Sequence, residues 1–244
     1  MAILLNPGDV HVWHRATASI DAASLDADIS LLSAGEKIRH ARFMFERDKR
    51  DFAAAHGLLR RVLSMYADIA PADWQFDGAP NQKPCVAARQ AGAPPLSFSL
   101  SHTHGFVACA AARGVDVGID AESIDRIVDA HEVARRFFAP AEIAMLDACR
   151  DEPERSRKFV ELWTLKEAYV KAIGKGLIVP LDQFSFTIDE AGRIGFEAQP
   201  GMIAGPFVFT LIAPTPTARV AVAVQCDDSA AVRVIAHEWA DGEL

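Results

Sequence analysis

The chain has 244 residues, half of them hydrophobic and 24% charged, with a formal net charge of −8. That length suffices for one large domain or two small ones with a buried core. The acidic balance argues against a general nucleic-acid binder, whose phosphate affinity would come from Lys and Arg. The opening stretch "MAILLNPGDVHVWH" has no basic n-region, and the apolar run Phe106 to Ala112 is too short for a bilayer, so a cytoplasmic protein with no membrane partner is expected.

In chain order, Ser33 to Tyr66 reads as helical, opening on a capping box formed by Ser33 and Glu36. Phe52, Leu58, Leu59, Val62, Leu63 and Tyr66 recur at three- and four-residue intervals and predict a buried helix face. The segment Glu36 to Arg61 also carries Lys37, Arg39, Arg42, Arg47, Lys49, Arg50, Arg60 and Arg61 against Glu36, Glu46, Asp48 and Asp51, a local basic region suited to an anionic ligand or partner. "LSFSLSHTHGFVACAAA" (Leu96 to Ala112) predicts two strands around a Gly-containing turn. Within it, "SHTHG" presents Ser101, His102 and Thr103 at a turn whose hydroxyls and backbone N–H groups suit an anion. Cys85, Cys109, Cys149 and Cys226 lie far apart in sequence, so no zinc knuckle or redox pair is expected and they read as small core residues.

Val115 to Ile124 alternates apolar and acidic residues. In a strand, Asp120 and Glu122 face one side while Ile119 and Ala121 face the core. Two adjacent carboxylates need a proton or a cation between them, and an all-oxygen set favours a hard ion such as Mg2+. Helices follow over Ala130 to Phe138, from Pro140 to Cys149, and from about Glu154 to Ile173 with Gly174 at the end. On the last, Trp163, Glu167 and Lys171 are spaced i, i+4, i+8 on one stripe, while Phe159, Leu162, Leu165, Tyr169 and Ile173 supply apolar surface. So apolar a helix should be largely buried, with Glu167 and Lys171 in a cleft; on an open surface the same pair would contribute only a few tenths of a kcal/mol. Gly174-Lys175-Gly176 is not a phosphate loop, because Leu177 stands where Ser or Thr is required and the glycines end a helix rather than open one. "FSFTI", "FVFTLIA" and "RVAVAVQ" predict the remaining strands.

The strand pair in the first half has the same shape as "FVFTLIAPTPTARVAVAV" in the second, each after a helical region rich in Arg, Phe and Leu. The expectation is an α+β fold of two similar halves, a pseudo-dimer of residues 1–114 and 115–244. Each half would be a small, mainly antiparallel sheet packed with helices, with the active site in the cleft between them.

Together these features resemble the surfactin-synthetase-type 4′-phosphopantetheinyl transferases. "RFMFERDKRDFAAAHGLLRRVL", "QKP", "FSLSHTHG", "GIDAE", "RRFFAPAEIAML" and "WTLKEAYVKAIGKGL" match the family's motifs in order, over roughly Ala34 to Ile188. The resemblance implies transfer of the phosphopantetheine arm of coenzyme A to a serine of an acidic acyl or peptidyl carrier protein. Mg2+ or Mn2+ would assist, adenosine 3′,5′-bisphosphate would be released, and the paired halves would work as a monomer. It further implies Asp120, Glu122 and Glu167 at the metal, Glu167 as a base, and Lys171 and His102 at the reacting phosphate. Ser101 would join His102 at the pyrophosphate, Lys83 would lie at the 3′-phosphate, and Arg39 and Arg50 around the nucleotide. Gln82, Ser99 and Ala121 depart from the family's usual Gly, Asn and larger apolar residue. The same carboxylates would also serve a Mg2+-dependent phosphodiesterase or pyrophosphatase acting on a CoA-like nucleotide, which predicts hydrolysis of coenzyme A without a carrier. A non-catalytic carrier-binding module predicts binding that survives loss of Glu167; the intact D-x-E and K-E-x-x-x-K sets weigh against it.

Overall fold

The computed structural model describes residues 4–78, 83–126, 130–174, 179–203, 205–227 and 232–240. Strand β1 (Asp9–Ala16) leads to helix α1 (Ala22–Ser30), capped by the Asp21 carboxylate on the Ser24 N–H. Helix α2 (Ala34–Ala41) opens on the expected capping box, with reciprocal Ser33 and Glu36 bonds. The single helical stretch expected from Ser33 to Tyr66 is in fact two helices. The chain turns at Arg42–Phe45, and α3 (Glu46–Ser64) begins afterwards. The turn carries Phe43 inward against Phe52, 5.3 Å between ring centroids, which closes a small satellite core with Leu32. All six residues expected on the buried helix face are buried.

After the short pair β2 (Phe76–Asp77) and β3 (Cys85–Val86) come β4 (Leu96–Thr103) and β5 (Phe106–Arg113), turning at Gly105 with φ 79°. The second half runs β6 (Asp116–Ser123), α4 (Ala130–Phe137), α5 (Pro140–Asp147), α6 (Glu152–Ile173), β7 (Phe184–Ile188), β8 (Ile194–Ala198), β9 (Phe207–Ile212) and β10 (Ala218–Gln225). Strand β11 (Arg233–Glu238) closes the described chain.

The strands form a first sheet ordered β11-β1-β5-β4, a second ordered β6-β10-β9, and the pairs β2-β3 and β7-β8. Pairing is antiparallel except where β11 lies parallel to β1. The order first strand, last strand, penultimate strand thus occurs twice, as β1-β5-β4 and as β6-β10-β9. Strand β11 crosses the expected boundary at residues 114 and 115 and returns to the first sheet. Helix α3 packs on the outer face of the first sheet around Trp13, Val107 and Cys109. Helix α6 packs on the second around Ala221 and Ala223. Between the sheets lies a third core, in which Val10, Val12 and Ala110 meet Ile119, Ala121 and Val222. Among the cysteines, Cys109 and Cys226 are buried as expected, while Cys149 is half-buried and Cys85 exposed.

Candidate active site

The sheets meet along β4 and β6, and this seam builds the site. Side chains on a strand alternate, so Ser99, Ser101 and Thr103 of β4 all face β6. Ser99 Oγ accepts the Ile119 N–H at 3.0 Å, Ser101 Oγ donates to Asp120 Oδ1 at 2.9 Å, and Thr103 Oγ1 donates to Glu122 Oε2 at 2.9 Å. Asp120 and Glu122 share a side, as the alternation predicts, while Ile119 and Ala121 are buried between the sheets.

Helix α6 covers that carboxylate side. Asp151 caps its start by accepting the Glu154 N–H, and Gly174 ends it in the left-handed conformation at φ 66°; Lys175 and Gly176 lie outside the described residues. Gly118 sets the approach, since a Cβ there would sit 2.1 Å from the Ala168 carbonyl oxygen and 2.4 Å from the Ala172 nitrogen. This close packing brings Lys171 Nζ to 2.7 Å from Asp120 Oδ1 and 3.0 Å from Ser101 Oγ. Lys166 points elsewhere: it is fully buried, pairs with Glu142 at 2.7 Å and donates to the carbonyls of Leu181 and Phe184. Of the helix's neighbouring charges, Lys166 therefore anchors the fold, while Glu167 and Lys171 face the seam.

The electrostatics show a surplus of negative charge. The Glu167 carboxyl is pushed above its usual range, first by burial and then by Asp120; Lys171 opposes this and Glu122 adds to it. Asp120 Oδ2 is buried and has no hydrogen-bond partner among the described residues. Lys171 and Ser101 hold the other oxygen, Thr103 holds Glu122, and among the described residues no three His, Cys, Asp or Glu side chains are grouped as a ready metal cluster.

His102 stands exposed on the wall of a pocket of about 580 Å3, with Phe43, Arg47, Asp51, Thr103, His104 and Asp125. The protein crowded round it holds its pKa below the usual imidazole value; His56, Lys171 and Arg39 act in the same direction and Asp51 opposes them. Arg39 lies over the Phe52 ring, 5.4 Å from its centroid. The structure thus joins Ser101, Asp120 and Lys171 by direct contact, sets Glu167 in the field of Asp120, Lys171 and Glu122, and sets His102 in that of Lys171 and Arg39. It does not bring Lys83 and Arg50 into that group. Lys83 lines a separate pocket of about 200 Å3 with Ser97, Phe98 and Asp116, near the other end of β4 and β6. There burial lowers its pKa and its Nζ is 3.4 Å from Asp116. Arg50 donates to the Ala18 carbonyl and lines an adjoining pocket that shares Arg47, Asp51 and His104 with the first.

The basic region is smaller than its composition suggests. Arg60 is buried against Glu36, Arg61 pairs with buried Asp28, and Lys49 pairs with Glu46. Sequence reading missed Thr103 as the partner of Glu122 and His56 as a neighbour of His102. The period-two run Ser99-Ser101-Thr103 was the available signal for the first; nothing local marked the second.

A seam of paired carboxylates crossed by a lysine thus lies beside a pocket walled by His102 and His104. The profile of the 4′-phosphopantetheinyl transferase superfamily matches residues 116–223, and that of the 4′-phosphopantetheinyl transferase N-terminal region matches residues 19–114. The chain is 35% identical over 169 residues to the 4′-phosphopantetheinyl transferase HetI of Nostoc sp., covering 69% of this chain and 70% of that protein. It is 31% identical to Sfp of Bacillus subtilis over 69% of this chain and 72% of the relative. A phosphopantetheinyl transferase of Thraustochytrium sp. is 30% identical, over 97% of this chain and 82% of its own length. The chain belongs to the 4′-phosphopantetheinyl transferase superfamily.

Proposed function

We propose that the protein transfers the 4′-phosphopantetheine arm of coenzyme A to a serine of an acyl or peptidyl carrier protein and releases adenosine 3′,5′-bisphosphate. The observation that carries the reading is Lys171 bridging Ser101 and Asp120 at the seam, with Asp120 Oδ2 left without a hydrogen-bond partner among the described residues. In the reaction the serine Oγ forms a bond to the phosphorus bearing the pantetheine arm. The bond from that phosphorus to the bridging oxygen breaks, and the electron pair leaves with the nucleotide. Phosphoryl transfer of this kind depends on alignment and charge neutralisation rather than on a protein nucleophile. Lys171 supplies positive charge at the phosphate, and His102, neutral near pH 7, donates a hydrogen bond from the pocket wall. Glu167, its basicity raised by burial and by Asp120, accepts the serine proton.

The donor set fits Mg2+. This ion is commonly held by one or two carboxylates with waters and substrate phosphates rather than by a full protein cage, and the partnerless Asp120 oxygen and the charge surplus with Glu122 and Glu167 are what such an ion would satisfy. When bound it supplies charge neutralisation at the diphosphate. Lys83, Arg39 and Arg50 are proposed nucleotide contacts, with Lys83 at the far end of the seam. The repeated strand order supports two related halves, and because one chain brings both sides of the seam, we place the enzyme as a monomer. No described helix is long and apolar enough to cross a membrane. The test is to incubate the protein with coenzyme A, Mg2+ and several apo carriers and to weigh the carriers. A mass gain of one phosphopantetheine arm is expected. Hydrolysis of coenzyme A without carrier modification would replace this reading with that of a phosphodiesterase.

A further inference from the structure

The turn between α2 and α3 presents Met44 and Phe45 to solvent, 87% and 55% exposed, and Ile38 on the preceding helix α2 is 59% exposed; none of them belongs to a core cluster among the described residues. Cations flank this surface: Lys37 and Arg42 are exposed, while Arg47, 5.1 Å from the Phe45 ring centroid, is paired with Asp48, and exposed Glu46 is paired with Lys49, leaving Lys37 and Arg42 to set its charge. Clustered exposed apolar groups with a polar rim mark an interaction site more often than chance, and methionine is suited to adaptable contacts.

Position identifies the occupant. Phe43, the inward-turned residue of the same bend, forms part of the wall of the pocket that holds His102. Met44 and Phe45 follow it directly, within about 4 and 7 Å of chain. A protein that delivers a serine to that pocket through an interface of ordinary size, about 800 Å2 per partner, covers a disc roughly 16 Å in radius. Such a disc reaches across the turn. A cationic and apolar surface on a chain of net charge −8 also selects an acidic partner with apolar side chains of its own.

We propose that the α2–α3 turn with the end of α2, through Met44, Phe45 and Ile38 with Lys37 and Arg42, is a docking surface for an acidic, partly apolar surface of the carrier protein; the proposal rests on the transferase reading above. These side chains lie outside both the reacting group and the core, so they can be changed without touching either. The experiment measures transfer by the full chain to an apo acyl carrier protein and an apo peptidyl carrier protein for wild type, for Met44→Asp/Phe45→Asp and for Arg42→Glu. The double variant is expected to raise the KM for carrier at least about 10-fold, with the KM for coenzyme A and the circular dichroism unchanged. Arg42→Glu is expected to flatten the dependence of carrier KM on NaCl. Carrier KM values within twofold of wild type for both variants, or a parallel rise in the KM for coenzyme A, would overturn the docking surface while leaving the transferase reading intact. Wild-type inactivity toward every carrier overturns both. Sedimentation showing a wild-type dimer and a monomeric double variant would reassign the surface to a second copy of this chain.

Discussion

Glu167 is a carboxylate placed where its charge is opposed. Burial and Asp120 raise its pKa, Lys171 compensates in part, and Glu122 adds repulsion. The sign of the linkage follows. A raised folded pKa means the folded state prefers the protonated form, so the associated stability is present below the ordinary glutamate range and is lost as pH rises through the raised value. Glu167→Gln is therefore expected to raise the Tm at pH 7.5 while reducing transfer by about 100-fold or more. Calorimetry across pH, paired with carrier mass analysis, checks both; a variant that is active and no more stable would remove Glu167 from its assigned role. At this scale the sequence was informative about Asp120 and Glu122, because strand alternation alone puts them on one side. It was silent on Lys166, whose partner Glu142 lies on another helix and whose carbonyl acceptors follow a later turn.

The contact between α6 and β6 turns on one glycine. With a Cβ at Gly118 meeting backbone atoms of both Ala168 and Ala172, no side-chain rotation relieves the overlap. Gly118→Ala is expected to destabilise the fold by about 3 kcal/mol and to weaken transfer by moving Lys171 off Asp120. Urea denaturation with parallel kinetics measures this, and a change below about 0.5 kcal/mol would contradict the packing. The elements legible beforehand were those with a clear period or a cap: α2 with its capping box, α3 with its buried stripe, β4, β5, β6 and α6. Strand β1 was not, because Val10 and Val12 face the inter-sheet core while His11 and Trp13 face the helix layer, so both sides are buried and no polar alternation appears. The break between α2 and α3 was hidden as well, since the residues on either side read as helix and Phe43 turns inward to reach Phe52.

The whole molecule is tied by its last described strand. Strand β11 lies parallel to β1; Trp239 is buried in the core under α3, and His237 stacks on Trp13 with 4.4 Å between centroids. Removing residues 232–244 is expected to cost at least about 3 kcal/mol, from the buried tryptophan alone. The loss should be read as a lowered urea midpoint, with Trp13 fluorescence shifting to the red. An unchanged midpoint would show that the first sheet stands without β11. Pairing over more than 200 positions leaves no trace in a local pattern, so a boundary between halves could be drawn at residues 114 and 115 without revealing that the end of the chain returns to the first sheet.

The paired carboxylates on β6 and the Glu167–Lys171 stripe on α6 were readable from residue order, because each depends on spacing along one segment; the α+β class followed from the succession of elements, and the family from a resemblance carried by six motifs in order. Whether these segments share a site depends on distances between segments. The close packing permitted by Gly118 and the bridge from Lys171 to Asp120 arise only when α6 lies on β6, and the hydroxyls of β4 reach β6 only where the two sheets meet. The separation of Lys83 from the central group is likewise tertiary, since Lys83 packs beside Ser97 and Asp116, near the opposite end of β4 and β6 from Thr103 and Glu122, and the chain order says nothing of which end of a strand a distant residue meets.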